Sequence, residues 1–160
     1  MNPFFSNYNT PHGTVPFHLI KLEHFEPAIR EGIKQQLTEI DAITALTDEP
    51  TFENTIEAFE KSGRLLERAT TVFENLMSAE TNDEMQELAK TLTPLLSEHA
   101  NNISLNQTLF QRVKAVYEKR ATLNLTTEQR KLLEDTYVGF ARNGANLEDK
   151  DKETFRTLTN

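Results

Sequence analysis

The 160-residue sequence has no cysteine, no tryptophan, five glycines and no long apolar run. Without cysteine it can form no disulfide, no thiolate zinc site and no cysteine nucleophile, while the compartment is left open. Its longest apolar stretches, such as Val138 to Ala141, are a handful of residues, far short of the roughly 20 that a bilayer-spanning helix needs. Positive charge is scarce: 17 Lys and Arg against 25 Asp and Glu leave a net charge of −8. That balance works against a phosphate backbone, which requires a positive footprint. Neither nucleic acid nor a membrane is expected as a partner. The start, Met1-Asn2-Pro3-Phe4-Phe5, has no basic or apolar leader region, so no secretory signal is expected in the chain as given. The expected compartment is the cytoplasm, or the periplasm where a leader has been removed.

What is present suits a soluble globular chain: 37% apolar and 26% charged residues over one domain's length predict a single hydrophobic core. Three of the six prolines (Pro3, Pro11, Pro16) fall in the first sixteen residues. They predict an extended arm over 1–22 with Phe4, Phe5, Tyr8 and Phe17 as aromatic anchors. From 23 to 160 the pattern is helical. Phe25, Ile29, Ile33, Leu37, Ile40 and Ile43 share one face of a helix over about 24–46, with Pro27 tolerated in its first turn. A second helix is predicted over about 52–79, with Thr51 or Asn54 as its cap and Gly63 on its apolar stripe, where a neighbour could approach closely.

Thr81 and Glu84 have capping-box spacing and open a third helix carrying Met85, Leu88, Leu92, Leu95 and His99. Pro94 should bend or restart it near 90–94. A polar connector over 101–106 follows, with Asn106 capping a fourth helix through Phe110, Val113 and Tyr117. Thr126 and Gln129 open a fifth helix whose Leu133, Tyr137 and Phe140 face inward, and Asn143-Gly144 closes it. A charged sixth helix starts near Leu147, with Phe155 and Leu158 as its large apolar residues, and reads as cut off partway. No period-two run predicts a strand and no repeat of 34–47 residues recurs. The expected fold is all-α, an antiparallel array of five to six helices.

The chemistry-bearing residues form no recognisable site. His12, His18, His24 and His99 offer no pair four residues apart with an adjacent Glu, the helical zinc pattern. The first three read as turn or surface histidines and His99 as a core histidine bonded to backbone. Carboxylates cluster at Glu80, Asp83, Glu84 and Glu87 and again at Glu148, Asp149, Asp151 and Glu153. In the first turns of helices these favour the positive end of the dipole and face solvent, which outweighs an acid–base reading. The sequons at Asn102, Asn106 and Asn124 are of a kind that arises by chance. No catalytic, cofactor-binding or metal-ligating residue is assigned.

Resemblance goes further than composition. Asn2-Pro3-Phe4-Phe5 through Thr14-Val15-Pro16-Phe17, then His24-Phe25-Glu26-Pro27-Ala28, resembles the amino-terminal segment of zinc oligopeptidases of the thimet oligopeptidase family. It is most similar to their peptidyl-dipeptidase (dipeptidyl carboxypeptidase) branch. Further matches follow in order: Pro50 to Ile56, Ser78-Ala79-Glu80, Asn102 to Asn106, and Phe140 to Leu147. The resemblance implies an amino-terminal part of a zinc peptidase that removes C-terminal dipeptides from oligopeptides. The H-E-x-x-H helix and third zinc ligand belong to the family's carboxyl-terminal half, and no residue of this chain corresponds to them. Zinc is therefore implied for the parent protein and none for this chain, which should be inactive alone. The implied role is one wall of a channel that admits short peptides. The implied partners are the C-terminal catalytic part and, in the parent enzyme, those peptides. The alternative is a stand-alone helical module that binds a partner through an apolar groove and has no activity.

Overall fold

Helix α1, Phe25–Thr44, is the first long element of the computed structural model, which describes residues 1–147. Before it the chain makes four short 3₁₀ turns, Pro3–Phe5, Pro11–Gly13, Phe17–Leu19 and Leu22–His24. Asn2 caps the first of them, its side-chain oxygen accepting from Phe4 N–H at 3.0 Å. After α1 come a π-wound segment, Phe52–Glu57, that runs into the single turn α2, Ala58–Glu60, then α3, Arg64–Ala79, and α4, Asp83–Ser104. Two further helices are α5, Gln107–Glu118, and α6, Thr127–Arg142. No strand occurs among the described residues, so the all-α expectation holds. The sixth helix expected from Leu147 onward lies outside them.

The chain divides into two compact units in place of the one core expected. The first comprises Met1–Glu39 and Gly63–Thr93, the second Ile40–Ser62 and the described residues from Pro94 onward. Helices α1 and α4 each contribute residues to both.

In the first unit Phe4, fully buried, meets the Phe25 ring at 5.3 Å, and Phe25 meets Phe73 at 5.1 Å edge-on. Ala28, Ile29, Leu66, Ala69, Val72 and Met85 are buried in the same unit. Of the four predicted anchors, Phe4 alone is buried: Phe5 and Phe17 are more than half exposed and Tyr8 is half-buried beneath the Arg68 guanidinium, 5.0 Å from its ring. Arg68 donates to Phe4 O and to Ser6 O (3.3 Å), so backbone bonding to α3 holds the arm where side-chain burial does not. Leu37 is exposed, off the face predicted for it, and Ile33 is half-buried.

The predicted helix over 52–79 is broken. Ser62 N–H and Lys61 N–H close the α2 turn, and Gly63 follows at φ 72°, left-handed backbone that favours glycine. Its N–H donates to Glu39 Oε2 at 2.7 Å, and the Gln36 side chain lies where a Cβ would stand. A neighbour does come close, but at a chain break and not along a helical stripe. The glycine that admits a helix is Gly32 on α1: a Cβ there would meet Leu66 Cα of α3 at 2.7 Å.

Helix α4 does not restart at Pro94; the helical run continues to Ser104 and absorbs most of the predicted 101–106 connector. Pro94 and Lys90 are both exposed, so the Lys90 carbonyl that loses its intrahelical donor can bond water. The cap of α4 is Asn82, accepting from Met85 N–H at 2.9 Å. Thr81, expected in that role, instead donates to Met77 Sδ.

The second unit is built around Ile40, Ile43, Phe52, Ile56, Leu109, Phe110, Val113, Val116, Leu133 and Phe140, all buried. Its helix ends obey the predicted chemistry. Asn106 accepts from Leu109 N–H at 2.9 Å, and Thr126 and Gln129 cap one another reciprocally at 3.0 and 3.2 Å. Gly144 at φ 87° turns the chain so that Ala145 N–H returns to Phe140 O at 3.1 Å, a Schellman closure. Tyr137, expected inward, is half-buried and stacks on Tyr117 with centroids 3.9 Å apart.

The two helical glycines should respond with opposite sign. Gly32→Ala is expected to lower stability by about 1–3 kcal/mol, because backbone atoms of α3 must move. Gly139→Ala on α6, with nothing within 4 Å of the new Cβ, should raise it by about 0.5–1 kcal/mol through helix propensity. Urea unfolding followed by circular dichroism measures both.

Candidate functional site

Each of the four histidines has a place. His12 and His18 are exposed, His12 at φ 59° in its 3₁₀ turn. His24 is tied into the backbone: its Nδ1 accepts from Lys21 N–H at 3.0 Å, and its carbonyl accepts from Asn2 Nδ2 at 2.8 Å. Its Nε2 stands 3.9 Å from Glu23. His99 is buried in the second unit, and desolvation holds its pKa below the ordinary 6.5. Among the described residues no three His, Cys, Asp or Glu side chains gather as a group able to hold a metal. The described residues therefore offer no donor set that fits the zinc implied by the resemblance, and no catalytic step is derived through it.

The first acidic cluster lies on and just before the opening turns of α4. Glu80, Asp83, Glu84 and Glu87 are exposed, and Glu87 pairs with Lys90 at 2.5 Å. The second cluster, Glu148, Asp149, Asp151 and Glu153, lies outside the described residues. Elsewhere two carboxylates sit below their ordinary pKa. Glu49 is held down by the hydrogen bond and charge of Lys119, and Glu128 by backbone and Thr126 hydrogen bonds at the start of α6. Both are exposed ends of ion pairs or helices. Tyr8 is pushed up by burial, with Arg68 opposing.

The most constrained polar grouping was invisible to spacing. Arg112 stands on α5 between Leu109 and Val116, on the buried face, and only 7% of it is exposed. Its Nη1 donates to Leu46 O (3.0 Å) and Asp48 O (3.2 Å), and its Nη2 to Asn54 Oδ1 (3.1 Å). Asn54 Oδ1 also accepts from Thr51 N–H and from the buried Thr55 hydroxyl, both at 2.8 Å, while Asn54 Nδ2 donates to Glu49 O at 3.0 Å. Lys119 pairs with Glu49 at the surface of the same loop. One arginine and one asparagine thus fasten residues 46–55 to α5. The clue available in the sequence is an arginine at i+3 from Leu109 and i−4 from Val116, within an apolar stripe.

In the first unit an open groove of about 850 Å³ runs along the start of α1, lined by Leu22, Pro27 and Leu88 with Glu23, Glu84 and Lys21 at its sides. Arg30 and Glu26 at its edge bond each other at 2.8 Å. No described helix is long and apolar enough to cross a membrane.

Against known proteins, residues 28–152 match the family model of the neurolysin/thimet oligopeptidase N-terminal domain. Dipeptidyl carboxypeptidase of Escherichia coli (strain K12) is 41% identical over 158 residues, 99% of this chain and 23% of the relative. Dipeptidyl carboxypeptidase of Salmonella typhimurium (strain LT2) is 38% identical over 157 residues, 98% of this chain and 23% of the relative. Oligopeptidase A of Haemophilus influenzae is 26% identical over 145 residues, 89% and 21% respectively. The chain spans less than a quarter of the length of these curated relatives.

Two measurements check the groups placed above. Arg112→Ala strands two carbonyls and the Asn54 oxygen, and should cost about 2–4 kcal/mol and speed hydrogen exchange over residues 46–55. Because the buried His99 resists protonation, the unfolded chain binds its proton first. Stability should therefore be level above the unfolded pKa of about 6.5 and fall as pH drops below it. In His99→Gln that slope should flatten, as read from melts at pH 5 to 8.

Proposed function

This chain belongs to the neurolysin/thimet oligopeptidase family, as its N-terminal domain, and on that premise we propose that it is the helical, non-catalytic part of a peptidase that removes C-terminal dipeptides from oligopeptides. The observation that carries this reading is the identity of 41% to a dipeptidyl carboxypeptidase over 99% of the chain. Two relatives of that name share it at 38–41%, against 26% for an oligopeptidase A, which favours dipeptide release over internal cleavage.

In this reading the helices form a wall of the substrate channel and contribute size selection. Zinc held in the C-terminal catalytic part, the partner of this domain in this reading, would supply the activation of the attacking water, and no residue of this chain takes part in that step. The parent works in the cytoplasm, or in the periplasm where a leader is removed.

The test is capture of the native protein from its source cells with an antibody raised against this chain. The expected species is several times larger than 18.3 kDa, releases dipeptides from the carboxyl end of a blocked peptide, and loses that activity to a zinc chelator. A native product of 18.3 kDa without activity would replace this reading with a stand-alone helical interaction module.

A further inference from the structure

The open groove of the first unit combines an apolar floor with an uneven charge at its sides. Leu22, Pro27 and Leu88 supply the floor. Of the three carboxylates there, Glu26 is neutralised by Arg30 at 2.8 Å. Glu23 has the His24 ring at 3.9 Å, beyond hydrogen-bond reach, and no ion pair among the described residues involves Glu84. Lys21 is the remaining cation of the lining. Two carboxylates and one ammonium thus remain among the residues lining an apolar trough, and Glu80 and Asp83, just before and at the start of α4, carry the same sign.

We propose that this groove docks a short basic polypeptide segment, a Lys or Arg flanked by large apolar side chains. The charge decides the class of occupant. Phosphate-bearing partners, nucleic acid or an anionic lipid surface, would be repelled by Glu23, Glu84 and the chain's net charge of −8. A purely apolar segment would bury two carboxylates with Lys21 as their one cation, leaving a carboxylate without a counter-charge. A lysine or arginine between apolar neighbours satisfies both: the side chains on either side cover Leu22, Pro27 and Leu88 while the cation reaches Glu23 or Glu84. The volume suits a few residues, within the usual range of ligand clefts. This docking is separate from the peptidase reading, because neither carboxylate is given a part in catalysis.

The test is fluorescence anisotropy of the 160-residue chain, checked for helical circular dichroism, with labelled Ala-Leu-Lys-Leu-Ala and its Glu counterpart. Saturable binding of the Lys peptide is expected, with the Glu peptide roughly tenfold weaker or worse. The double variant Glu23→Gln, Glu84→Gln should weaken the Lys peptide about threefold to tenfold, and Leu88→Asp should weaken both peptides. Raising salt to about 0.5 M should weaken the Lys peptide severalfold. Equal binding of the two peptides, no saturation by about 1 mM, or indifference to the double variant would overturn the proposal. Since the readout is binding, its failure leaves the peptidase reading standing, and loss of that reading leaves this one.

Discussion

A guanidinium taken out of water must find acceptors, and Arg112 finds them in residues 46–54, which lead from α1 into the π-wound segment. The second unit is organised by that requirement. Helix α5 cannot bury its Leu109–Val113–Val116 face without also burying Arg112, so residues 46–55 must present carbonyls to it. Asn54 relays the demand. Its side-chain oxygen serves Arg112, Thr51 and Thr55 together, so the cap of the π-wound segment and the anchoring of the loop are one event. A buried charge of this kind adds less to stability than its bond count suggests, because desolvation consumes much of the gain; its effect is to select one arrangement.

The first unit solves a related problem differently. Its arm has few buried side chains, so it is held through its backbone: Arg68 takes the carbonyls of Phe4 and Ser6, and Asn2 takes that of His24. Phe4 is its buried aromatic anchor, set against Phe25. Gly32 then lets α3 come close enough for the aromatic contacts around Phe73 to close.

Local chemistry was the most legible part of the sequence. The Thr126–Gln129 box, the Asn106 cap and the Asn143-Gly144 closure each depend on residues within three or four positions of one another, so spacing alone fixed them. The breaks were harder. Apolar spacing runs unbroken from Phe52 to Phe73, and it carries no sign that Gly63 is left-handed or that the first turns are wound wide. At Pro94 the expected bend or restart did not take the form of a restart, since a proline on an exposed side of a helix leaves its orphaned carbonyl to water. Arg112 was unreadable because a lone charge in a stripe is ordinarily solvated; its acceptors lie about sixty residues away. The groove was equally hidden, being formed by residues 21–30 and by α4. Family membership was legible because ordered short matches survive where no single site does.

The π-wound segment also bears on how this region can change in length. An α-helix advances about 100° per residue, whereas a π turn accommodates one residue more in the same span. Deleting one residue between Phe52 and Glu57 would let the segment relax to an ordinary helix, yet would turn Asn54 or Thr55 away from Arg112 by about a quarter of a circle. Adding one would do the same in the opposite sense. The opening of this helix is therefore a stretch where substitutions can accumulate on the exposed side but the residue count is frozen, and gaps in any alignment of related chains should fall on either side of it.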